Sequence, residues 1–324
     1  MPTTPSGAPA RRRTLLIVVA VALVLALVIG ARLSRSEPRG APAASTAASF
    51  VSASGATRWS TPPPSGLTAT PALSGSASPL VPPAAATAAV AAAEKATGAR
   101  MGLSMAPVGG PATATVPWTA GIMTGGPAWS TIKLPIVLAN LHAGTATGTE
   151  STVRAAITRS DNQAAETLTR RLGDDAAAAR AVDAELARYH DTRTRAATTS
   201  DRPDFSVLGQ TMWSLPDQTV FMESMACTAD AAPLRTLMGQ VTSDQSWGLG
   251  TLHGSLFKGG WGPGIDGRYL VRQTGVITVG KSQYAVSMEA VASDGSFSAG
   301  TAALDRLAAS LPGVARKMPA GTCG

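Results

Sequence analysis

Three short clusters in this 324-residue chain combine hydroxyls with amines: Ser130-Thr131-Ile132-Lys133, Ser160-Asp161-Asn162 and Lys258-Gly259-Gly260. In the first, an i, i+3 spacing near a helix start puts a serine hydroxyl and a lysine amine on one face. The same helix N-terminus directs its free N–H groups toward the point of attack. A serine hydroxyl is a poor nucleophile until a neighbour takes its proton, and lysine can do so when burial and a second cation lower its pKa. Lys258 is a candidate for that cation and equally for a holder of substrate carboxylate. The chain has only five lysines (95, 133, 258, 281 and 317) against 22 arginines, and two of the five fall in these clusters. A titratable amine, rather than positive charge alone, is what those positions require.

Other patterns carry less. Ser255-Leu256-Phe257-Lys258 repeats the S-x-x-K spacing, but it falls in an alternating strand, where residues three apart point to opposite faces. Gly262 to Gly267 fits G-x-G-x-x-G literally, yet it lies between two expected strands with no helix behind it, so it reads as a loop. His142, His190 and His253 are scattered singly, so neither a metal nor another cofactor is expected. No G-x-S-x-G occurs, which argues against an α/β-hydrolase. Glu166 and Glu185 sit on highly charged helical stretches and read as solvated, while Glu223, in an apolar setting, is a candidate unassigned acid.

The elements that must position these clusters follow from local pattern. Residues 84–97 are nearly pure helix former, stopped by Gly98. Two short strands are expected at 101–108 and 113–119. The run from Ser130 to Leu141 has almost no polar face and reads as a helix buried on all sides. Residues 151–190 are helical with a break at Gly173-Asp174. Stretches 255–261, 269–279 and 283–293 alternate like neighbouring antiparallel strands, and 299–311 closes as an amphipathic helix. This order implies one sheet built from both chain ends, with helices packed on its faces.

In the order S-x-x-K, S-D-N, K-x-G, across residues 84–311, the chain resembles the penicillin-recognising serine hydrolases, and most closely their class A β-lactamase-like branch. Supporting stretches are 130–141 (STIKLPIVLANL), 257–263 (FKGGWGP) and 269–279 (YLVRQTGVITV). The resemblance implies an α+β (α/β) sandwich with a five-stranded antiparallel sheet beside a helical subdomain, the active site between them. It implies Ser130 as acylated nucleophile, Lys133 as its base and Ser160 as proton relay to the leaving nitrogen. Asn162 would bond a substrate amide, Lys258 and Gly260 would line the substrate strand, and the N–H groups of Ser130 and Trp261 would form the oxyanion hole. β-Lactams or peptidoglycan stem peptides are the implied partners.

Three departures qualify the likeness. The hydroxyl residue of K-[TS]-G is replaced by Gly259, and only 30 residues separate Ser130 from Ser160, which implies a reduced helical subdomain. No E-x-x-x-N segment follows S-D-N, and residues 192–205 contain no Glu. That glutamate activates the deacylating water in class A enzymes, so an acyl-enzyme is expected to form and persist. A degenerate module that holds cell-wall peptide without turnover remains open beside the enzyme. So does an envelope domain in which Ser130 merely caps a helix.

Location is legible at the N-terminus. After Arg11-Arg12-Arg13, residues 14–31 form 18 uncharged positions, about 27 Å as a helix, near the roughly 30 Å hydrocarbon core. A membrane anchor is favoured over a cleaved signal peptide, leaving residues 1–13 as a cytoplasmic tail. In residues 32–83, 39 of 52 positions are Pro, Ser, Thr, Ala or Gly, a tether that cannot form a core. The folded domain is expected at residues 84–324, outside the cytoplasm and as a monomer. Six arginines and Glu37 give the first 40 residues a charge of +5 out of +7, so the basic balance belongs to the tail and no nucleic-acid-binding face is indicated. The two cysteines, Cys227 and Cys323, form an even pair in an exported domain, which points to one disulfide; two unpaired buried thiols are the alternative.

Overall fold

The computed structural model describes residues 82–109, 117–200 and 202–323. The expected tail, membrane span and nearly all of the tether lie outside them. No helix among the described residues is long and apolar enough to cross a membrane.

The chain enters through α1 (Ala84–Thr97), whose alanine-rich sequence favours helix and whose end is fixed by Gly98 in the left-handed conformation, φ 68°. Strands β1 (Arg100–Pro107), β2 (Trp118–Gly121), β5 (Leu256–Pro263), β6 (Tyr269–Val279) and β7 (Ser282–Val291) form one antiparallel sheet in the order β2-β1-β7-β6-β5. Both chain ends build it, as the sequence implies. The second strand lies later than expected, at 118–121; Met105 and Leu103 of β1 pair there with the buried Trp118 and Ala120, whose apolar bulk those positions demand.

Alternation divides the sheet. One face (Met101, Leu103, Met105, Val286, Met288) packs against α1, α8 (Phe297–Ala308) and α9 (Leu311–Ala315). The other carries two polar cross-strand rows, Lys258-Thr274-Ser287-Ser104 and Gly260-Arg272-Glu289-Gly102. Against this second face lies α6 (Leu215–Cys227), begun by Ser214 accepting from the Asp217 N–H at 3.1 Å.

The helical part comprises α2 (Lys133–His142), α3 (Ser151–Thr158), α4 (Asn162–Arg171), α5 (Asp175–Arg188) and α7 (Ala232–Met238). The stretch from Lys133 to Asn140 is buried throughout, matching its lack of a polar face. The expected break at Gly173-Asp174 is present, and Asp174 caps α5. A second break, at 159–161, separates α3 from α4 and coincides with the S-D-N cluster. A short ribbon of β3 (Gly125–Pro127) and β4 (Met212–Ser214) joins the two parts.

Two assignments need correction. Glu185 is buried, not solvated: its Oε2 lies 2.8 Å from His142 Nδ1 and 3.4 Å from Arg188 Nε. His142 is therefore not isolated, because Asp230 Oδ2 sits 3.1 Å from its Nε2. Burying a carboxylate requires such partners; Arg188 lies one turn on along the same helix, whereas His142 comes from an element far away in sequence. Glu166 is exposed and pairs with Arg170 one turn on. The cysteines are joined: Cys227 at the end of α6 bonds Cys323, Cα atoms 5.1 Å apart.

Candidate active site

The Ser130 and Lys133 segment is built on a tight turn. Residues Trp129–Ile132 form a 3₁₀ turn that runs straight into α2, so Ser130 sits on the turn and Lys133 opens the helix. Trp129 immediately before Ser130 has φ 48°, a conformation costing a non-glycine residue about 1 to 3 kcal/mol. The strain is held from below. Arg272, fully buried on β6, donates to Gly126 O at 2.7 Å, Pro127 O at 3.1 Å, Trp213 O at 3.0 Å and Gln218 Oε1 at 2.9 Å. Gln218 in turn donates to Thr131 Oγ1 at 2.9 Å. A chain of buried hydrogen bonds thus runs from the sheet to the residue beside Ser130.

Ser160 also adopts a left-handed conformation, φ 54°, at the α3–α4 break, where Asp161 caps α4 by accepting from Ala164 N at 2.7 Å. This bend turns Ser160 inward, with 8% of its surface exposed, while Asn162 remains exposed. Lys133 Nζ donates to Ser160 O at 2.5 Å, to Asn162 Oδ1 at 2.8 Å and to Ser160 Oγ at 3.3 Å. From the opposite side, Lys258 Nζ reaches Ser160 Oγ at 2.7 Å and Gly259 O at 2.8 Å. Four of the sequence-identified residues therefore share one cluster. With both amines donating to it, the Ser160 hydroxyl has both lone pairs occupied and its own proton is directed elsewhere.

Ser130 stays outside this hydrogen-bonded cluster: among the described residues Lys133 Nζ donates to Ser160 and Asn162 and not to the Ser130 Oγ, and the serine is partly exposed. Such contacts commonly tighten only when substrate binds. Gly260 explains how β5 approaches: a Cβ there would stand 2.9 Å from the nitrogens of Ser130 and Thr131. Trp261 follows, half-buried, on the opposite face of the strand, its ring packed on Trp247 and Phe297. The second S-x-x-K copy is split as strand alternation requires, Ser255 Oγ donating to Leu249 O while Lys258 faces Ser160.

Burial sets the electrostatics. Lys133 is 4% exposed and Lys258 1%. Desolvation brings the Lys133 pKa down to about 7, opposed by the nearby Asp161 carboxylate. Lys258 is held well below the usual lysine value, first by its burial and then by the charge of Lys133. Near neutrality Lys133 is thus divided between a base and an acid. Among the described residues no group of three or more His, Cys, Asp or Glu is placed to hold a metal ion.

Solved structures share this architecture. A β-lactamase from Burkholderia vietnamiensis superposes with a TM-score of 0.56 at 19% identity, covering 73% of this chain and 98% of that one. One from Streptosporangium roseum gives 0.54 at 17%, covering 73% and 100%. The TLA-3 extended-spectrum β-lactamase gives 0.55 at 12%, covering 70% and 97%. The chain has a β-lactamase-like fold. No family model matches the sequence, and no curated protein matches it. Within the β-lactamase-like frame, Arg272, Gln218, Trp129 and Trp247 shape the site without having been singled out by motif. Arg272 alone leaves a trace, a charge inside the apolar run YLVRQTGVITV.

Proposed function

We propose that this protein is a membrane-tethered serine acyl-transfer protein, acting outside the cytoplasm on β-lactams or peptidoglycan stem peptides. The observation that carries the reading is the convergence of two buried lysines, from α2 and β5, on the hydroxyl of Ser160. Burying two amines is costly, and a purely structural envelope domain gains nothing from it.

In this reading the neutral Lys133 amine takes the Ser130 proton as the Ser130 Oγ–carbonyl bond forms, with the N–H groups of Ser130 and Trp261 receiving the oxyanion. The amide C–N bond then breaks. Its nitrogen takes the Ser160 proton, which Lys133 replaces. Asn162 bonds the substrate amide, and Lys258 supplies the positive edge. With no glutamate in 192–205 to activate water, the acyl-enzyme persists, so the protein captures its ligand more readily than it destroys it. Residues 14–31 anchor the chain, residues 32–83 tether it, and it acts as a monomer.

Full-length protein incubated with a fluorescent penicillin and weighed by mass spectrometry tests this. A covalent adduct lost in Ser130→Ala is expected, with a half-life of many minutes. Complete absence of adduct would move the protein to the class of non-catalytic peptide-binding modules.

A further inference from the structure

At the far end of β5 from Lys258, a loop residue covers the turn that carries Ser130. Gly262 leaves room for the Trp129 indole, whose atoms would stand 2.5 Å from a Cβ at that position. Phe205 meets Trp129 edge-on with centroids 5.3 Å apart. Over both lies the Arg202 guanidinium, 5.6 Å from the Trp129 centroid and 4.4 Å from that of Phe205. Arg202 Nη1 donates to Pro263 O, the last carbonyl of β5. Residues 205 and 206 are pinned rather than loose: Gln210 Nε2 donates to Ser200 Oγ at 2.6 Å and shares its other hydrogen between Phe205 O and Ser206 O, each 3.2 Å away. Arg202 remains partly exposed, and among the described residues no carboxylate pairs with it.

The direction of the substrate follows from the proton relay. Ser160 and Lys258 mark the side of the leaving nitrogen, so the acyl portion of a substrate joined to Ser130 extends the other way, toward Trp261–Pro263. There Arg202 and the half-buried Phe205 ring, backed from inside by the buried Trp129, offer a surface suited to a carboxylate next to an apolar body. Resting on the acyl-serine reading above, we propose that Arg202 is an acyl-side specificity residue. It selects donors that carry a carboxylate on the acyl side of the scissile amide, such as stem peptides with an acidic residue there, over neutral counterparts.

Two penicillins that differ only by an α-carboxylate on the acyl side chain, benzylpenicillin and its carboxylated analogue, provide the test in the full-length protein. The carboxylated compound should acylate roughly threefold to fivefold faster, the upper value of one partly exposed ion pair, and Arg202→Gln should bring the ratio close to one while Arg202→Lys keeps part of it. A ratio unchanged by Arg202→Gln while adducts still form overturns the inference and leaves the acyl-serine reading intact. In Ser130→Ala, calorimetry with acetyl-D-glutamyl-D-alanyl-D-alanine and its glutaminyl counterpart reads the same preference without chemistry. A glutamyl preference lost in the Arg202→Gln background sustains the inference even if no penicillin reacts. Equal affinities of the two peptides in Ser130→Ala with Arg202 intact overturn it.

Discussion

Gly259 is a glycine because Trp247 stands where its side chain would be. A Cβ at 259 would lie 2.9 Å from the indole of Trp247, which is itself wedged against Trp261 and Phe297. The hydroxyl that the K-[TS]-G pattern would place here is thus excluded by packing as well as absent from the sequence. Gly259→Thr is expected to overpack this contact and destabilise the fold by about 1 to 3 kcal/mol. Trp247→Ala opens a cavity by itself, yet in its presence Gly259→Thr should cost much less. Four denaturation curves close this double-mutant cycle, and additive effects would show that the indole is not the obstacle.

Lys133 is expected to set the pH dependence of acylation. Its pKa near 7 means that the neutral, proton-accepting form grows as pH rises through about 7. The rate of penicillin adduct formation should follow it upward and level off above. Stability runs in the same direction. In the unfolded chain Lys133 titrates near its ordinary 10.5, so between about 7 and 10.5 the unfolded state binds more protons and unfolding becomes less favourable as pH rises. Lys133→Met removes both effects: it should abolish the adduct while raising stability at pH 7 by about 1 to 3 kcal/mol, because the cost of desolvating the amine, seen in its lowered pKa, exceeds the hydrogen bonds lost to Ser160 and Asn162. Adduct formation with a flat pH profile in the wild type would exclude Lys133 as base.

Arg272 and Glu289 form a pair buried to zero exposure, their nearest charged atoms 3.9 Å apart. Burial holds the Glu289 pKa up, and the Arg272 guanidinium, followed by the Gly125 backbone N–H, only partly counters it. Arg272 also ties β3, β4 and Gln218 together beneath Ser130. Arg272→Met should therefore cost about 3 to 5 kcal/mol and slow acylation, whereas Arg272→Met with Glu289→Leu should recover most of the stability but not the rate. Recovery of both by the double substitution would reduce Arg272 to a packing role.

How much of this was legible in the sequence depends on the range of the interaction. Lys133, Ser160, Asn162 and Lys258 could be named because residue type and short spacing mark them, and the sheet could be drawn because Phe257, Val271, Val286 and their neighbours alternate. The left-handed turns at Trp129 and Ser160 leave no such mark, since only the surrounding fold forces a non-glycine residue there. Glu185 was misread because His142 and Asp230, which accommodate it, come from other helices and loops. Trp247 and Gly259 lie close in sequence, but only the packing of the indole against β5 makes one explain the other.

The disulfide joins the end of α6 to the chain terminus, where Gln283 N also donates to Gly321 O at 2.7 Å. Closing a loop with a sequence separation of 96 restricts the unfolded chain, and loop-closure entropy values this at about 4 to 5 kcal/mol. Both cysteines are exposed, so a reductant reaches the bond without prior unfolding. Gln218, the residue of α6 that touches Thr131, lies nine positions before Cys227, about 13 Å along the helix, so the site does not depend on the crosslink directly. Reduction, or Cys227→Ser with Cys323→Ser, should therefore lower the melting temperature by many degrees. The penicillin acylation rate at 25 °C should stay within about twofold, since the bond acts mainly on the unfolded chain. An unchanged melting temperature would mean that the unfolded chain gains little freedom when the bond is cut, and a large fall in rate at 25 °C would mean that α6 itself shifts with its tail.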